Sequence, residues 1–120
     1  MNLLWKVFHK WIFEKYDQFS NELGYANWKI TSESTFGIFQ MDGDAFYHAT
    51  QLPNGEWAVW NDSEGDPPYA FQVFPSWGEA IRHLLTLFEE SQLRESHWRP
   101  EGFDMGENVF SKEPDREKML

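Results

Sequence analysis

Apolar residues open the chain at helical spacing. Over residues 2–20, Leu4, Phe8, Trp11, Ile12, Tyr16 and Phe19 recur every three or four positions, with Lys6, Lys10, Glu14 and Asp17 between them. That period predicts an amphipathic helix. Trp5, Val7 and Phe13 widen the apolar arc. So wide an arc predicts two packing surfaces, one for the protein's own sheet and one for the C-terminal tail or another chain. Gly24 supplies a helix stop.

Between Trp28 and Phe74 the period drops to two. Trp28 to Ser32 reads as a possible first strand. Phe36, Ile38 and Gln40 alternate with Gly37, Phe39 and Met41, and Asp42-Gly43-Asp44 then interrupts. Phe46, His48, Thr50 and Leu52 alternate with Tyr47, Ala49 and Gln51. Asn54-Gly55 follows and predicts a two-residue hairpin turn with positive φ at both positions. Glu56 to Trp60 reads as the returning strand, Asn61 to Pro68 as a polar loop, and Tyr69 to Phe74 as a further short strand. Consecutive turns predict an antiparallel meander of four or five strands.

Ser76, followed three residues later by Glu79, is a capping-box signature. It opens a second helix, 76–93, whose buried stripe is Ile81, Leu84, Leu85 and Phe88. Residues 95–120 show no period. Trp98, Phe103, Val109 and Phe110 can pin this tail across the domain, and the last ten residues read as frayed. The predicted fold is α+β: a single domain, 1–120, with a meander over 28–74 flanked by an N-terminal and a C-terminal helix. An antiparallel sheet offers one face for a core, and the two helices can cover it.

Composition adds a core and removes several chemistries. The 120 residues include 22 aromatic side chains, which argues against disorder. There is no cysteine, so disulfides, thiolate metal sites and cysteine nucleophiles are excluded. The longest apolar runs span three or four residues, far short of the roughly 20 that cross a membrane. Lys6, His9 and Lys10 interrupt any signal-peptide core, which leaves a cytoplasmic location as the expectation.

Candidate chemistry is sparse. Histidines 9, 48, 83 and 97 fall on different elements, and no pair has the spacing of a helical zinc site. Asn61 to Asp66 looks like part of a calcium loop, but neither possible starting residue places a glycine and a closing glutamate correctly. Gly-x-Ser-x-Gly, Gly-rich phosphate loops and Ser-x-x-Lys are absent. No metal or cofactor is expected, and nothing identifies an enzyme. Trp57 and Trp60, three apart on a strand, point to opposite faces. A pocket between sheet and helices near His48 and Trp60 would suit a small-molecule module, enzymatic or not.

Charge gives the strongest positive signal. Net charge is −10, with Lys+Arg 4 against Asp+Glu 7 in the first sixty residues and 6 against 13 in the second. Such a domain is repelled by nucleic acid and by anionic membranes. Asp42 and Asp44 alternate, as do Asp62, Glu64 and Asp66. In extended chain, alternate residues lie roughly 6.6 Å apart on one side, a line of charge like a phosphate backbone. Glu101, Asp104 and Glu107 are the next acidic candidates.

In size, charge, lack of cysteine and mixed helix-and-meander pattern the chain resembles small acidic DNA-mimic and inhibitor proteins of bacteria and phage. The likeness is one of kind and rests on no motif. It implies a non-enzymatic protein that blocks the basic nucleic-acid-binding surface of a partner. The histone-like protein HU is one candidate partner. A nuclease toxin neutralised by an immunity protein is the alternative.

Overall fold

The computed structural model describes residues 3–118, with side chains from residue 10 onward. Helix α1 spans Leu3–Glu22 and a short helix α2 spans Trp28–Glu33. Four strands follow: β1 (Thr35–Gln40), β2 (Phe46–Gln51), β3 (Trp57–Asn61) and β4 (Phe71–Phe74). Helix α3 spans Trp77–Ser91, and the tail carries single 3-10 turns at Glu95–His97 and Arg116–Lys118. The sheet is an antiparallel meander in the order β1-β2-β3-β4, the predicted α+β arrangement with four strands. No helix among the described residues is long and apolar enough to cross a membrane.

Helix α1 stops where Gly24 allows it. The Tyr25 amide donates to Ser20 O at 2.9 Å and the Gly24 amide to Asn21 O at 3.0 Å, with Gly24 at φ +96°. This double closure needs a left-handed residue, which glycine adopts without a Cβ clash. The strand expected over Trp28–Ser32 is instead helix α2. Asn27 decides it, because its Oδ1 accepts the Ile30 amide at 3.0 Å and caps the first turn. At α3, Ser76 Oγ accepts the Glu79 amide at 3.3 Å, so the expected cap forms on that side. Gln92, left-handed at φ 58°, closes that helix just before the expected end.

The sheet is apolar on both faces, where one apolar face was expected. Trp57 and Val59 of β3 point into a cluster with Phe36, Ile38, Phe39, Ala49 and the buried side of α3. Ala58 and Trp60 point the other way, into a cluster with Phe19 and Leu23 of α1 and with Tyr69. The two tryptophans are 1% and 3% exposed, one on each face, as their spacing requires. Strict alternation fails in β1. A bulge between Gly37 and Phe39 turns both Ile38 and Phe39 toward α3. Of the residues that widen the apolar arc of α1, Trp5 and Val7 lie outside the described side chains, as do Leu4 and Phe8 of the main stripe, while Phe13, and Trp11 of the stripe, are exposed.

The tail is pinned to the core as its apolar residues imply, and bonds at Asp115 and Arg116 tie down part of the segment expected to fray. Trp98, Phe103, Val109 and Phe110 pack against the α3-side cluster. Trp77 Nε1 donates to Val109 O at 2.7 Å. Residues 98–101 lie antiparallel to β1: Phe39 bridges Trp98, and the Arg99 and Glu101 amides donate to Ile38 O and Gly37 O, both at 2.9 Å. Further along, the Asp115 amide donates to Gly102 O at 2.8 Å and Arg116 pairs with Glu33 at 3.1 Å.

The hairpin between β2 and β3 differs from the expected two-residue turn. Gly55 N–H donates to Leu52 O at 2.9 Å and Leu52 N–H to Glu56 O at 2.8 Å. Only Gly55 has positive φ, at +90°. Pro53 explains the shift. It has no N–H to pair with Glu56 across a turn at Asn54-Gly55, and its fixed φ suits the position after Leu52. Gly55→Val should therefore destabilise the domain by about 1 kcal/mol or more, since a β-branched residue resists that φ. Asn54→Ala, which loses two exposed bonds, from the Glu56 amide to Oδ1 and from Nδ2 to the Glu56 carboxylate, should cost less. Thermal melting of both variants checks the order.

Candidate functional site

Two places gather polar side chains. The first is one end of the sheet. In a meander the β1–β2 and β3–β4 connections emerge at the same end, and here they are joined: Asp62 Oδ1 accepts the Phe46 amide at 2.8 Å. Asp42 and Asp44 of one connection and Glu64 and Asp66 of the other thus lie at the same end of the sheet. Helix α3 also ends there. Asp42 and Glu90 line one groove with Tyr47 and Leu87, and the helix C-terminus adds its own partial negative charge. The turns at both connections replace the extended spacing expected for these carboxylates. The glycines cause this: Gly43 and Gly65, at φ +80° and +87°, curl each segment.

The eight predicted carboxylates therefore separate by what they already hold. Asp42, Asp44 and Glu64 are exposed and make no ion pair among the described residues. Asp66 is 4.0 Å from Lys15. In the tail, Asp104 pairs with Lys118 at 2.8 Å. Glu107 accepts from Lys112 at 2.7 Å and from Lys118 at 2.9 Å. Those bonds, Lys112 first, hold its pKa down at about 2. Asp104 and Glu107 thus tie the tail to itself. Glu101 and Asp62 belong to the second place.

That second place is a cavity of about 210 Å³ on the α1–α2 side of the sheet, next to His48 and Trp60. Trp60 stacks on the His48 ring at 4.3 Å between centroids and on Tyr69 at 5.3 Å. Trp28 meets Trp60 edge-on at 6.2 Å and Tyr16 at 4.9 Å. His48 Nε2 lies 3.3 Å from Asp62 Oδ2. Glu101 reaches in from the tail and accepts the Gly37 amide. A Cβ at Gly37 would stand 2.7 Å from Glu101 Oε1, so the glycine leaves room for that carboxylate. Among the described residues, no three His, Asp or Glu side chains form a group that could hold a metal.

The electrostatics of this cavity follow from burial. Burial pushes the His48 pKa below 6.5, against the opposing pull of Asp62 and Glu101. Burial, then the hydroxyl of Tyr16, raises the Tyr69 phenol above its usual range, so it stays protonated. Neutral His48 donates from Nε2 to Asp62 and keeps a lone pair on Nδ1. No buried side-chain nitrogen or oxygen lacks a partner among the described residues. Nδ1 has no hydrogen-bond partner among the described residues and is not fully buried.

The sequence placed a pocket near His48 and Trp60 but assigned Asp62 and Glu101 to an exposed acidic surface. The signal for Asp62 was present. In the β2–β3 register His48 faces Trp60, so Asp62, two residues on, is its diagonal neighbour on the same face. No local signal placed Glu101, because nothing in residues 95–101 shows strand pairing. The chain matches no protein-family model, no curated protein and no solved structure.

The folded His48 pKa lies below the unfolded one, so the unfolded chain takes up a proton first. Stability from the neutral ring is complete above pH 6.5 and is lost as pH falls below it toward the folded pKa. An NMR titration should give His48 a midpoint below 6.5, and Asp62→Asn should lower it further. A midpoint above 6.5 would contradict the burial argument.

Proposed function

We propose that this protein is a non-enzymatic acidic binding protein whose sheet end, carrying Asp42, Asp44, Glu64 and Asp66, covers the basic nucleic-acid-binding surface of a partner. One observation carries the reading: a single edge of the fold gathers the carboxylates of two connections with the acidic end of α3. The partner is a basic DNA-associated protein such as HU, or a nuclease in the immunity-protein form of the same idea. Partners of this kind imply a cytoplasmic location. The mechanism is steric and electrostatic blockade, in which charge speeds encounter and selects the partner more than it sets affinity.

A nucleic acid carries the same sign of charge as this chain, net −10, so direct binding is unfavourable. The isolated protein should therefore give no gel shift with duplex DNA at micromolar concentration. A salt-resistant shift would contradict this.

The blocking reaction is tested by displacement of purified HU from a labelled duplex, with a nuclease-protection assay for the alternative partner. The key variant combines Asp42→Asn, Asp44→Asn, Glu64→Gln and Asp66→Asn. These swaps keep shape and remove four charges. Affinity for the partner should fall at least about tenfold, or 1.4 kcal/mol. Its salt dependence should flatten, because exposed charges act over about 8 Å at physiological salt. Glu56→Gln and Glu79→Gln, at the other end, should change little. Undiminished blocking by the four-site variant would move the surface elsewhere.

A further inference from the structure

The cavity beside His48 has an unusual inventory. Its ring wall runs from Tyr16 through Trp28 to Trp60. Two carboxylates, Asp62 and Glu101, line it, and no lysine or arginine does. Several hydrogen-bond donors around it are already spent. Ser32 Oγ donates to Lys29 O at 2.8 Å, Tyr69 OH to Gly65 O at 2.8 Å, and Trp60 Nε1 to Thr50 Oγ1 at 2.9 Å. What remains for a guest is the Trp28 indole N–H and, more numerous, acceptors: His48 Nδ1 and the spare lone pairs of Glu101 and Asp62.

We propose that this cavity is a binding site for a guanidinium or ammonium group, held by the Glu101 carboxylate and the faces of the aromatic wall. A cation over an indole or phenol ring is attracted by the ring quadrupole, most strongly where water is displaced. A planar guanidinium has N–H donors on several edges, matching acceptors on more than one side. An anion is disfavoured, because it would meet two carboxylates and no positive charge. A neutral apolar guest would leave the His48 and Glu101 acceptors without donors. His48 is suited to accept because burial keeps it neutral. The volume, about 210 Å³, admits one such head group with a short stem.

The site is separate from the acidic sheet end, since Asp42, Asp44 and Glu64 do not line it. The guest's source is either the side chain of a basic protein or a free small molecule. Both present the same chemistry.

The test uses ethylguanidinium chloride at constant ionic strength, read by the indole N–H signals of Trp28 and Trp60 in NMR. The proposal expects saturable shifts of both signals. N-ethylurea, the neutral shape analogue, should bind at least about tenfold more weakly. Glu101→Gln keeps an acceptor for the Gly37 amide and should weaken ethylguanidinium at least about tenfold. Glu79→Gln should leave affinity unchanged. A blocked Gly-Arg-Gly peptide identifies the source: binding assigns the site to a protein side chain, and exclusion assigns it to a free small molecule. Absence of saturable shifts, or equal binding of ethylguanidinium and N-ethylurea, overturns the proposal. The urea comparison is made on the unaltered protein, so it stands even if Glu101→Gln fails to fold. None of these outcomes depends on the four-site variant or on HU.

Discussion

Strand β3 sends a tryptophan to each side of the sheet, and the rest of the molecule is arranged to keep both out of water. Burying a tryptophan removes roughly 150–250 Å² from solvent, worth several kcal/mol at about 25 cal/mol per Å². A four-stranded sheet with one wet face would forfeit half of that. The chain therefore needs a cover on each side. Helix α1, extended by α2, supplies Phe19 and Leu23 to the Trp60 side. Helix α3 supplies Ala80, Ile81, Leu84 and Phe88 to the Trp57 side, and the tail completes that layer with Trp98 and Phe103. Each buried indole also finds an acceptor: Trp60 on Thr50, Trp77 on Val109, Trp57 on Glu113 at 3.4 Å.

Two covered faces leave little surface for recognition except the ends and edges of the sheet. The β1 edge is not left open. Residues 98–101 pair along it, and the bulge at Ile38 sits beside that pairing. The same pairing brings Glu101 over Gly37 and completes the wall of the His48 cavity. The ends remain. One of them collects Asp42, Asp44, Glu64 and Asp66, so the acidic surface follows from the meander topology rather than from any local motif.

Much of this architecture is legible in the sequence. The helical period of α1 and α3, the alternation in β2 and β3, Gly24 and Ser76 all act locally, and each is where its residues imply. Trp57 and Trp60 declare opposite faces by spacing alone. Three features needed more than local pattern. Trp28–Glu33 has strand-like residues, yet the cap from Asn27 makes it helical. Pro53 moves the hairpin turn by removing a backbone donor. The tail has no period because its apolar residues answer to α3 and β1, not to one another. Glu101 and Asp62 were read as surface charge for the same reason, since their partners, the Gly37 amide and His48, are distant in sequence or reached only across a strand pair.

The tail belongs to the fold: it closes the β1 edge and delivers Glu101. Amide hydrogen exchange tests it most directly. The Arg99 and Glu101 amides, bonded to Ile38 O and Gly37 O, and the Asp115 amide, bonded to Gly102 O, should exchange far more slowly than unstructured chain. Those of Arg99 and Glu101 should approach the protection of β2 and β3. Exchange of all three at the rate of an unfolded peptide, with β2 and β3 still protected, would contradict it.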